Sequence, residues 1–323
     1  MKKILLIIND CHFSDRPPAW RVDTYRDDIL VKLEECVTIA QQLMRHKEIV
    51  NGAASVEVII TGDVFHQKAA SKVSHYLVQR VYEIISKFPC KVGILAGNHD
   101  LAAGRIDSIR KQPIGTILKN PNVFDMSSGG TWYDGLPGTY GYMDDSMWQN
   151  LNAFEAKNHI LFCHMPIAPP GITYPYPYVS ADADVFKKWQ CVFYGHQHDS
   201  DGCYTHNKTM FVNYGSIARG SLTPKTLRTV PAVAVCEVIE SKVVSVIPYV
   251  LKSVRPVKDV FRVVEYQERK AHDEDVDKFI DSLSTSEVSM LTIKGLMNLV
   301  SNMDIEEDVK VKATTILEEQ QEC

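Results

Sequence analysis

The first 250 or so residues alternate between short apolar runs and longer segments that carry apolar residues at helical spacing. Five of the apolar runs have the length of a buried strand and read KILLIIN, VEVIIT, KVGILA, HILF and CVFY. Residues 23–48 and 70–88 repeat apolar positions every third or fourth residue, which is typical of helices packed along one face. Because strands and helices alternate, the pattern predicts an α/β sheet.

The pattern changes beyond the third strand-like run. Residues 103–120 predict a mixture of helix and loop, and residues 126–150, rich in Gly, Tyr and Trp, predict short hairpin strands. Beyond residue 198, the runs TMFVNYG, VPAVAVCEVI and KVVSVIPYVL predict the antiparallel edge of a second sheet. The last ~65 residues are acidic and helical in composition. We therefore expect a main domain over residues 1–254 and a small, mainly helical region over residues 255–323.

One segment, residues 166–180, resists assignment to a regular element. It reads PIAPPGITYPYPYVS and contains five prolines, each of which fixes φ and removes a backbone donor. Long loops inside compact domains are often functional. Since this loop directly follows His164, we expect it to form part of the wall of a site. The alternative is a surface excursion without contact to a substrate.

Composition narrows the possible classes of protein. The net charge of −5 argues against binding nucleic acid over the whole surface, although it leaves room for a local basic groove. The eight cysteines include no C-x-x-C pair, which argues against a zinc ribbon and a thioredoxin-type motif. The first apolar run is too short for a signal peptide, and no run approaches the ~18 apolar residues of a membrane span. We expect a cytoplasmic protein without membrane contact.

Metal-ligating side chains follow each of the five strand-like runs. The segments are Asp10-Cys11-His12, Gly62-Asp63, Gly97-Asn98-His99-Asp100, Cys163-His164-Met165 and Gly195-His196-Gln197-His198. A ligand at the end of a buried strand is held on a rigid element, as a metal site requires. Imidazole, carboxylate and amide donors suit divalent Mn, Fe, Zn or Ni. The pattern predicts two ions that clamp a phosphate ester, with Asp63 as the bridging carboxylate.

The series D-x-H, G-D, G-N-H-D, H and G-H-x-H, in this order, resembles the calcineurin-like metallophosphoesterase family. The resemblance implies an α/β (α+β) fold, a four-layer αββα sandwich with a small C-terminal helical region. One ion would take Asp10, His12, Asp63 and His198, and the other would take Asp63, Asn98, His164 and His196. In the same way, His99 would be the catalytic histidine beside the phosphate, and Asp100 would orient it through a hydrogen bond.

Within this family, the chain resembles the DNA repair exonuclease branch, which includes the nuclease subunit of SbcC–SbcD-type complexes. Three segments carry this resemblance: RVDTYRDD from Arg21, GDVFH from Gly62, and NYGSIARGS from Asn213, which offers Ser216 and Arg219 to phosphate oxygens. The resemblance implies a Mn-dependent DNA nuclease, with Fe, Zn, Ni or Mg as other possible ions, an SbcC-type ATPase partner and a homodimer. Two departures are the segment Phe13-Ser14-Asp15, where relatives often carry glycine, and the short C-terminal region.

Several alternatives stay open from the sequence. The same metal chemistry serves a phosphodiesterase or phosphatase that acts on small nucleotides or phosphoproteins. A non-catalytic scaffold would have lost ligands, and none is lost. Arg16, Arg21 and Arg26 can meet a nucleic-acid backbone or pair with neighbouring aspartates. His66 can line the cleft or be structural.

Overall fold

The computed structural model describes residues 2–67, 70–127, 130–132, 136–142, 160–240, 242–273, 300–301 and 306–319. The chain divides into two compact units, Met1–Phe261 and Arg262–Cys323. The short helix Val257–Val260 and the bridge between Arg21 and Phe261 belong to the first unit. The domain boundary that the composition suggests, after residue 254, stays a prediction.

The first unit is built from strands and a smaller number of helices. The strands are β1 (Lys2–Ile8), β2 (Ala54–Ile60), β3 (Val92–Ile94), β4 (Val123–Asp125), β5 (Gly130–Trp132), β6 (Leu136–Tyr142), β7 (Ile160–His164), β8 (Ile167–Ala168), β9 (Val179–Ser180), β10 (Cys191–Gly195), β11 (Gly202–His206), β12 (Thr209–Asn213), β13 (Ala232–Ile239) and β14 (Lys242–Val250). The helices are α1 (Tyr25–Met44), α2 (Lys47–Val50), α3 (His75–Ile85), α4 (Ile114–Ile117) and α5 (Val257–Val260), with 3₁₀ turns at Ala70–Lys72, Ala102–Gly104, Ile106–Lys111 and Asp184–Phe186. The five apolar runs are β1, β2, β3, β7 and β10, as predicted.

Two six-stranded sheets form the frame of this unit. The first has the order β14-β13-β1-β2-β3-β4, and the second has the order β11-β12-β10-β7-β6-β5. Strands β1 to β4 run parallel to one another, as do β6, β7, β10 and β12. The carboxyl ends of neighbouring parallel strands therefore lie at one edge of each sheet, which is where ligands bind in open α/β sheets. The mixed α/β fold with two sheets confirms the predicted fold class.

One part of the predicted topology is wrong. Strands β13 and β14 do not form the edge of the second sheet but return to the first, where β13 pairs antiparallel with β1. Of the three predicted runs, TMFVNYG does lie in the second sheet, as β12, where it pairs antiparallel with β11. Local alternation of apolar and polar residues marks a strand but carries no information about its distant partner. The hairpin expected within residues 126–150 is present as β5 and β6, and residues 128–129, 133–135 and 143–150 lie outside the described residues.

The hydrophobic core is layered around the sheets. Side chains of both sheets meet between them, and the rings of Phe162 and Phe193 stack there at 5.2 Å between centroids. The outer face of the first sheet is covered by α1, α3 and α4. Phe186 and Trp189 pack against the outer face of the second sheet, and both are almost fully buried. Packing on both faces holds the strand ends in fixed positions.

The second unit contains a helical segment over residues 263–273 and the helix Glu307–Glu319. Its described residues carry several exposed charges, as the acidic composition predicts. Across the described ranges of both units, no helix combines the length and the apolarity needed to cross a membrane.

Candidate metal centre

The predicted ligands lie where the ends of strands from both sheets converge. Asp10 and His12 follow β1, Asp63 follows β2, and Asn98 follows β3 in the first sheet. The second sheet contributes His164 as the last residue of β7, together with His196 and His198 directly after β10. Side chains from five separate chain segments are thereby brought into one cluster, in which Asn98, His196 and His198 are half-buried and the others are buried.

The first group of donors consists of Asp10, His12, Asp63 and His198, whose ligand atoms all lie within 4.8 Å of one another. The Nε2 atoms of His12 and His198 face each other at 2.8 Å. Asp10 Oδ2 is buried and has no hydrogen-bond partner among the described residues. A buried carboxylate oxygen without a partner is costly, and a bound cation would remove that cost. This group therefore fits a divalent ion.

The second group consists of Asp63, His164 and His196, again with ligand atoms within 4.8 Å of one another. Asn98 Oδ1 joins them, at 3.0 Å from His196 Nδ1 and 3.2 Å from His164 Nε2. Asp63 is common to both groups: its Oδ2 lies 3.3 Å from His164 Nε2 and 3.5 Å from His12 Nε2. The geometry groups the residues into the same two sets that the family resemblance implies. That each set binds one ion stays a prediction.

Hydrogen bonds from the backbone aim the donors at the cluster. Asp63 Oδ1 accepts from the His99 amide at 2.8 Å, and Asp10 Oδ1 accepts from the His196 amide at 2.8 Å. His164 Nδ1–H donates to the Thr61 carbonyl at 2.8 Å, which leaves Nε2 directed toward the ligand cluster. Such outer contacts fix the tautomer and the orientation of a metal ligand. One oxygen of each carboxylate is thus occupied, and the other faces the cluster.

The arrangement around His99 differs from the one that the resemblance implies. Asp100 does not bond to His99: its carboxylate accepts from the amides of Gly97, Val64 and Phe65, each at 3.0 Å. His99 Nδ1–H instead donates to the carbonyl of His66 at 2.5 Å. An aspartate that follows a tight turn finds backbone amides closer than the neighbouring ring, because the turn folds those amides around it. Asp100 thus holds the loops that carry Asp63 and Asn98.

The backbone at the ligands adopts a conformation that non-glycine residues seldom take. The φ angles are 45° at Asp10, 48° at His12, 49° at Asp63 and 78° at His196. Such left-handed residues cost free energy and cluster at functional sites. A glycine is also required at position 97 for a steric reason, because a Cβ at Gly97 would lie 2.1 Å from Asp63 Oδ1. The glycines in these motifs therefore permit close approach of the segments.

A protein-family comparison agrees with this geometry. Residues 4–200 match the model of the calcineurin-like phosphoesterase family. The chain belongs to this family. The match spans more than half of the chain and includes every predicted ligand. No curated protein matches the chain significantly.

Several solved structures are distantly similar to this phosphoesterase. A predicted phosphoesterase from Streptococcus pneumoniae is 13% identical, with 77% of this chain and 90% of that chain covered and a TM-score of 0.34. A dimetal phosphatase from Danio rerio is 13% identical, with 77% and 99% covered and a TM-score of 0.46. A 5'-nucleotidase from Candida albicans is 12% identical, with 73% and 48% covered and a TM-score of 0.38. The family assignment rests on the match over residues 4–200.

Burial and mutual charge set the protonation of this phosphoesterase's donors. Burial raises the pKa of Asp10 to about 7. Burial acts to raise the pKa of Asp63 as well, but the charge and hydrogen bond of His164 outweigh it and lower that pKa well below its usual range. For His164, burial acts to lower the pKa, yet the charge of Asp63 outweighs it and raises the pKa to about 9. His164 and Asp63 therefore form an ion pair in the absence of a metal.

The other three imidazoles are held neutral. Burial lowers the pKa of His12 well below its usual value, with a further contribution from the charge of His198. Burial also lowers the pKa of His196 to about 3 and that of His198 to about 4. A neutral imidazole carries the lone pair that a metal ligand needs. These three imidazoles therefore offer a lone pair to a divalent ion, whereas His164 must first lose its proton.

Three residues that line the site have only a weak signal, or none, in the sequence. The His66 ring stacks on that of His99, with 5.3 Å between centroids. Tyr176, from the proline-rich loop, borders a pocket of about 430 Å³ together with His99 and Gln197. The loop therefore forms part of the wall of the site, as predicted. Its alternation of Tyr and Pro was the available signal for Tyr176, whereas the pattern held no signal for Gln197.

Ser216 and Arg219 are bound to the backbone rather than directed at the ligand cluster. The Ser216 hydroxyl donates to the Asp10 carbonyl at 2.6 Å. The Arg219 guanidinium donates to the carbonyls of Thr226 at 2.7 Å and Thr229 at 2.8 Å. These contacts hold the segment against the first ligand loop. Phosphate binding by either residue stays a prediction.

We expect Gly97→Ala to weaken binding of divalent ions at least ~10-fold, as for other losses of a ligand's supporting contacts. The added Cβ would displace Asp63, the residue shared by both groups. Isothermal titration of the metal-free protein with Mn²⁺ measures the effect. Gly220→Ala is the matched control, because a Cβ there meets nothing closer than 3.5 Å. Wild-type affinity and stoichiometry in Gly97→Ala would contradict this role of the glycine.

We expect ion binding to release protons and to strengthen between pH 6.5 and 9, because an ion must displace the proton on His164. Since the folded-state pKa of His164 is raised, its contribution to metal-free stability is present below pH 6.5 and is lost as the pH rises toward 9. Titration with Mn²⁺ at pH 7.5 in buffers of different ionisation enthalpy counts the protons, and urea unfolding of the chelated protein follows stability. Binding without proton release would refute the protonated state of His164.

Proposed function

We propose that this phosphoesterase is a two-metal phosphodiester hydrolase that acts on DNA, as a Mn-dependent nuclease of the SbcD-like repair type. The observation that carries the two-metal part is the buried, unpartnered Oδ2 of Asp10 beside Asp63, the carboxylate common to both donor groups. The DNA part is supported by the motif resemblance and by a basic groove beside the centre. An SbcC-type ATPase partner and a homodimer belong to the proposal on the resemblance alone.

The residues of the chain have distinct parts in such a reaction. Divalent ions held by the two donor groups would supply positive charge to clamp the phosphate and would lower the pKa of a bound water. Because His99 donates through Nδ1 to the His66 carbonyl, its Nε2 is the nitrogen that can face a leaving oxygen. A positioned histidine can donate a proton to that oxygen as a general acid. Stacking on His66 holds the ring in this orientation.

A basic groove adjoins the metal centre. We define it by Asp15, Arg16, Arg26, Gln67, Lys72 and Tyr76, which border a pocket of about 800 Å³. Two chain segments lead from the centre into the groove. One follows the ligand His12, and the other follows the ligand Asp63. A β-bridge between Phe13 and Phe65 joins the two segments at the point where they leave the centre. A strand of nucleic acid with one phosphate at the centre would therefore run along the groove.

The cations of the groove differ in how they are paired. Arg26 lies 5.3 Å above the Tyr76 ring and pairs with Asp27 at 3.3 Å and Asp15 at 3.7 Å. Arg16 and Lys72 are exposed, and no described carboxylate pairs with either. Unpaired surface cations are the groups that bind phosphates with release of counterions. Arg21, in contrast, is buried against Asp28 and is structural.

We expect the protein with Mn²⁺ to hydrolyse labelled DNA, and we expect His99→Ala to lose at least ~100-fold in rate, as for removal of a general acid. The variant should retain metal binding, because His99 contributes its backbone amide rather than its ring to Asp63. Gel assays on single- and double-stranded DNA measure the rate, and isothermal titration measures the ions.

A panel of other esters separates the proposal from its alternative. The panel contains a cyclic nucleotide, an aryl phosphodiester and a phosphopeptide. Hydrolysis of one of these without cleavage of any DNA would replace the nuclease by a small-molecule phosphodiesterase or a phosphatase. Full activity of His99→Ala would remove this residue from the mechanism.

We expect the double variant Arg16→Ala/Lys72→Ala to bind DNA more weakly while it hydrolyses an aryl phosphodiester at the wild-type rate. Two lost phosphate contacts should reduce the slope of log affinity against log salt by about 1.4–1.8. Arg45→Ala/Lys119→Ala is the control of equal charge, since both residues are exposed and precede the amino ends of β2 and β4, opposite the ligands. An unchanged slope in the groove variant would show that phosphates do not bind there.

A further inference from the structure

Three tyrosines of the proline-rich loop form an aromatic array, which we call the tyrosine ladder: Tyr174, Tyr176 and Tyr178. The rings of Tyr174 and Tyr176 stack with 5.2 Å between centroids and an interplanar angle of 8°. Tyr178 meets Tyr174 edge-on at 5.6 Å. Tyr176 remains 40% exposed although it belongs to this array. A large aromatic ring is thus kept open to solvent in a fixed orientation.

The backbone of the ladder is stiff. Pro175 and Pro177 alternate with the tyrosines, so φ is fixed at each proline and the residue before each proline is confined to extended conformations. The loop is also closed at its base, where β8 pairs with β9. A ring held in this way loses little conformational entropy when a ligand packs on it.

The ladder is tied directly to the metal centre. The Tyr176 hydroxyl donates to Gln197 Oε1 at 2.8 Å, and Gln197 stands between the ligands His196 and His198. Tyr176 borders the same pocket of about 430 Å³ as His99 and Asp63. A pocket of this volume is within the range of sites that hold small molecules. The open ring and the reaction centre therefore face one cavity.

We propose that Tyr176, backed by Tyr174, is a stacking platform for the nucleobase next to the scissile phosphodiester. This inference rests on the proposed function and adds a subsite for the base to the metal centre for the phosphate. A nucleobase is flat and presents a π-face whatever its identity, so one tyrosine face serves all four bases. The platform selects nucleotide esters over phosphate esters without a planar group, and it favours substrate ends whose bases are unpaired.

The kinetic test compares kcat/KM for thymidine p-nitrophenyl phosphate, taking the better of the 5'- and 3'-esters, with kcat/KM for methyl p-nitrophenyl phosphate. We expect the wild type to prefer the thymidine ester and Tyr176→Ala to reduce this preference about 5- to 150-fold, which corresponds to the ~1–3 kcal/mol of one base–aromatic stack. Tyr176→Phe should retain most of the preference, because the ring remains. Ile172→Ala is the control, since this residue is exposed in the same loop and is outside the ladder.

A binding measurement gives a readout without turnover. In a His99→Ala background with Mn²⁺, 2-aminopurine at the end of a single-stranded oligonucleotide should lose fluorescence on binding, and Tyr176→Ala should abolish that loss. Loss of preference in Tyr176→Phe equal to that in Tyr176→Ala would overturn stacking, as would quenching that survives Tyr176→Ala. Hydrolysis of the methyl ester without cleavage of any DNA by the wild type would instead count against the nuclease function. The two failures are therefore distinguishable.

Discussion

The sharing of Asp63 by two groups of imidazole and carboxylate donors is the constraint on which the rest of this unit depends. Its two oxygens have different tasks: Oδ1 is held by the His99 amide, and Oδ2 lies between His12 and His164. This requires strand ends from both sheets to meet within a few ångströms. The left-handed backbone at four ligands is the local cost of that approach. Gly97 permits it, because a Cβ at this position would collide with Asp63.

The strands and the convergence of the candidate ligands at their ends could be predicted because the information is local. An apolar run marks a strand, and the polar residues after it lie at an edge that parallel strands share. The return of β13 and β14 to the first sheet could not be predicted, because the identity of a pairing partner is not written in either strand. The predicted hydrogen bond between Asp100 and His99 is wrong for a related reason. Three backbone amides come within reach of the Asp100 carboxylate only once the turn has formed, and they then replace the His99 ring as its partners.

In the proposed function, the donor cluster and the surfaces that would bind the substrate lie in different parts of the chain. The candidate ligands lie at the ends of strands that are packed on both faces, which holds the donor cluster in a fixed position. The groove around Arg16 and the ladder around Tyr176 sit on loops that flank the same centre. Loops tolerate sequence change far better than buried strands. A family built on this frame can therefore exchange substrates while it retains the reaction.

The pairing of β1 with β13 has a consequence for how the chain folds. β1 leads into the first candidate ligands and lies between β2 and β13, yet more than 220 residues separate Lys2 from its partner Ile239. Contacts between such distant residues are slow to form, because a long loop must be closed before they contribute. During synthesis, one side of β1 stays without its partner until β13 has left the ribosome. A nascent chain therefore exposes an apolar strand edge until residues 232–239 have emerged, and chaperone binding to that edge would protect it from aggregation.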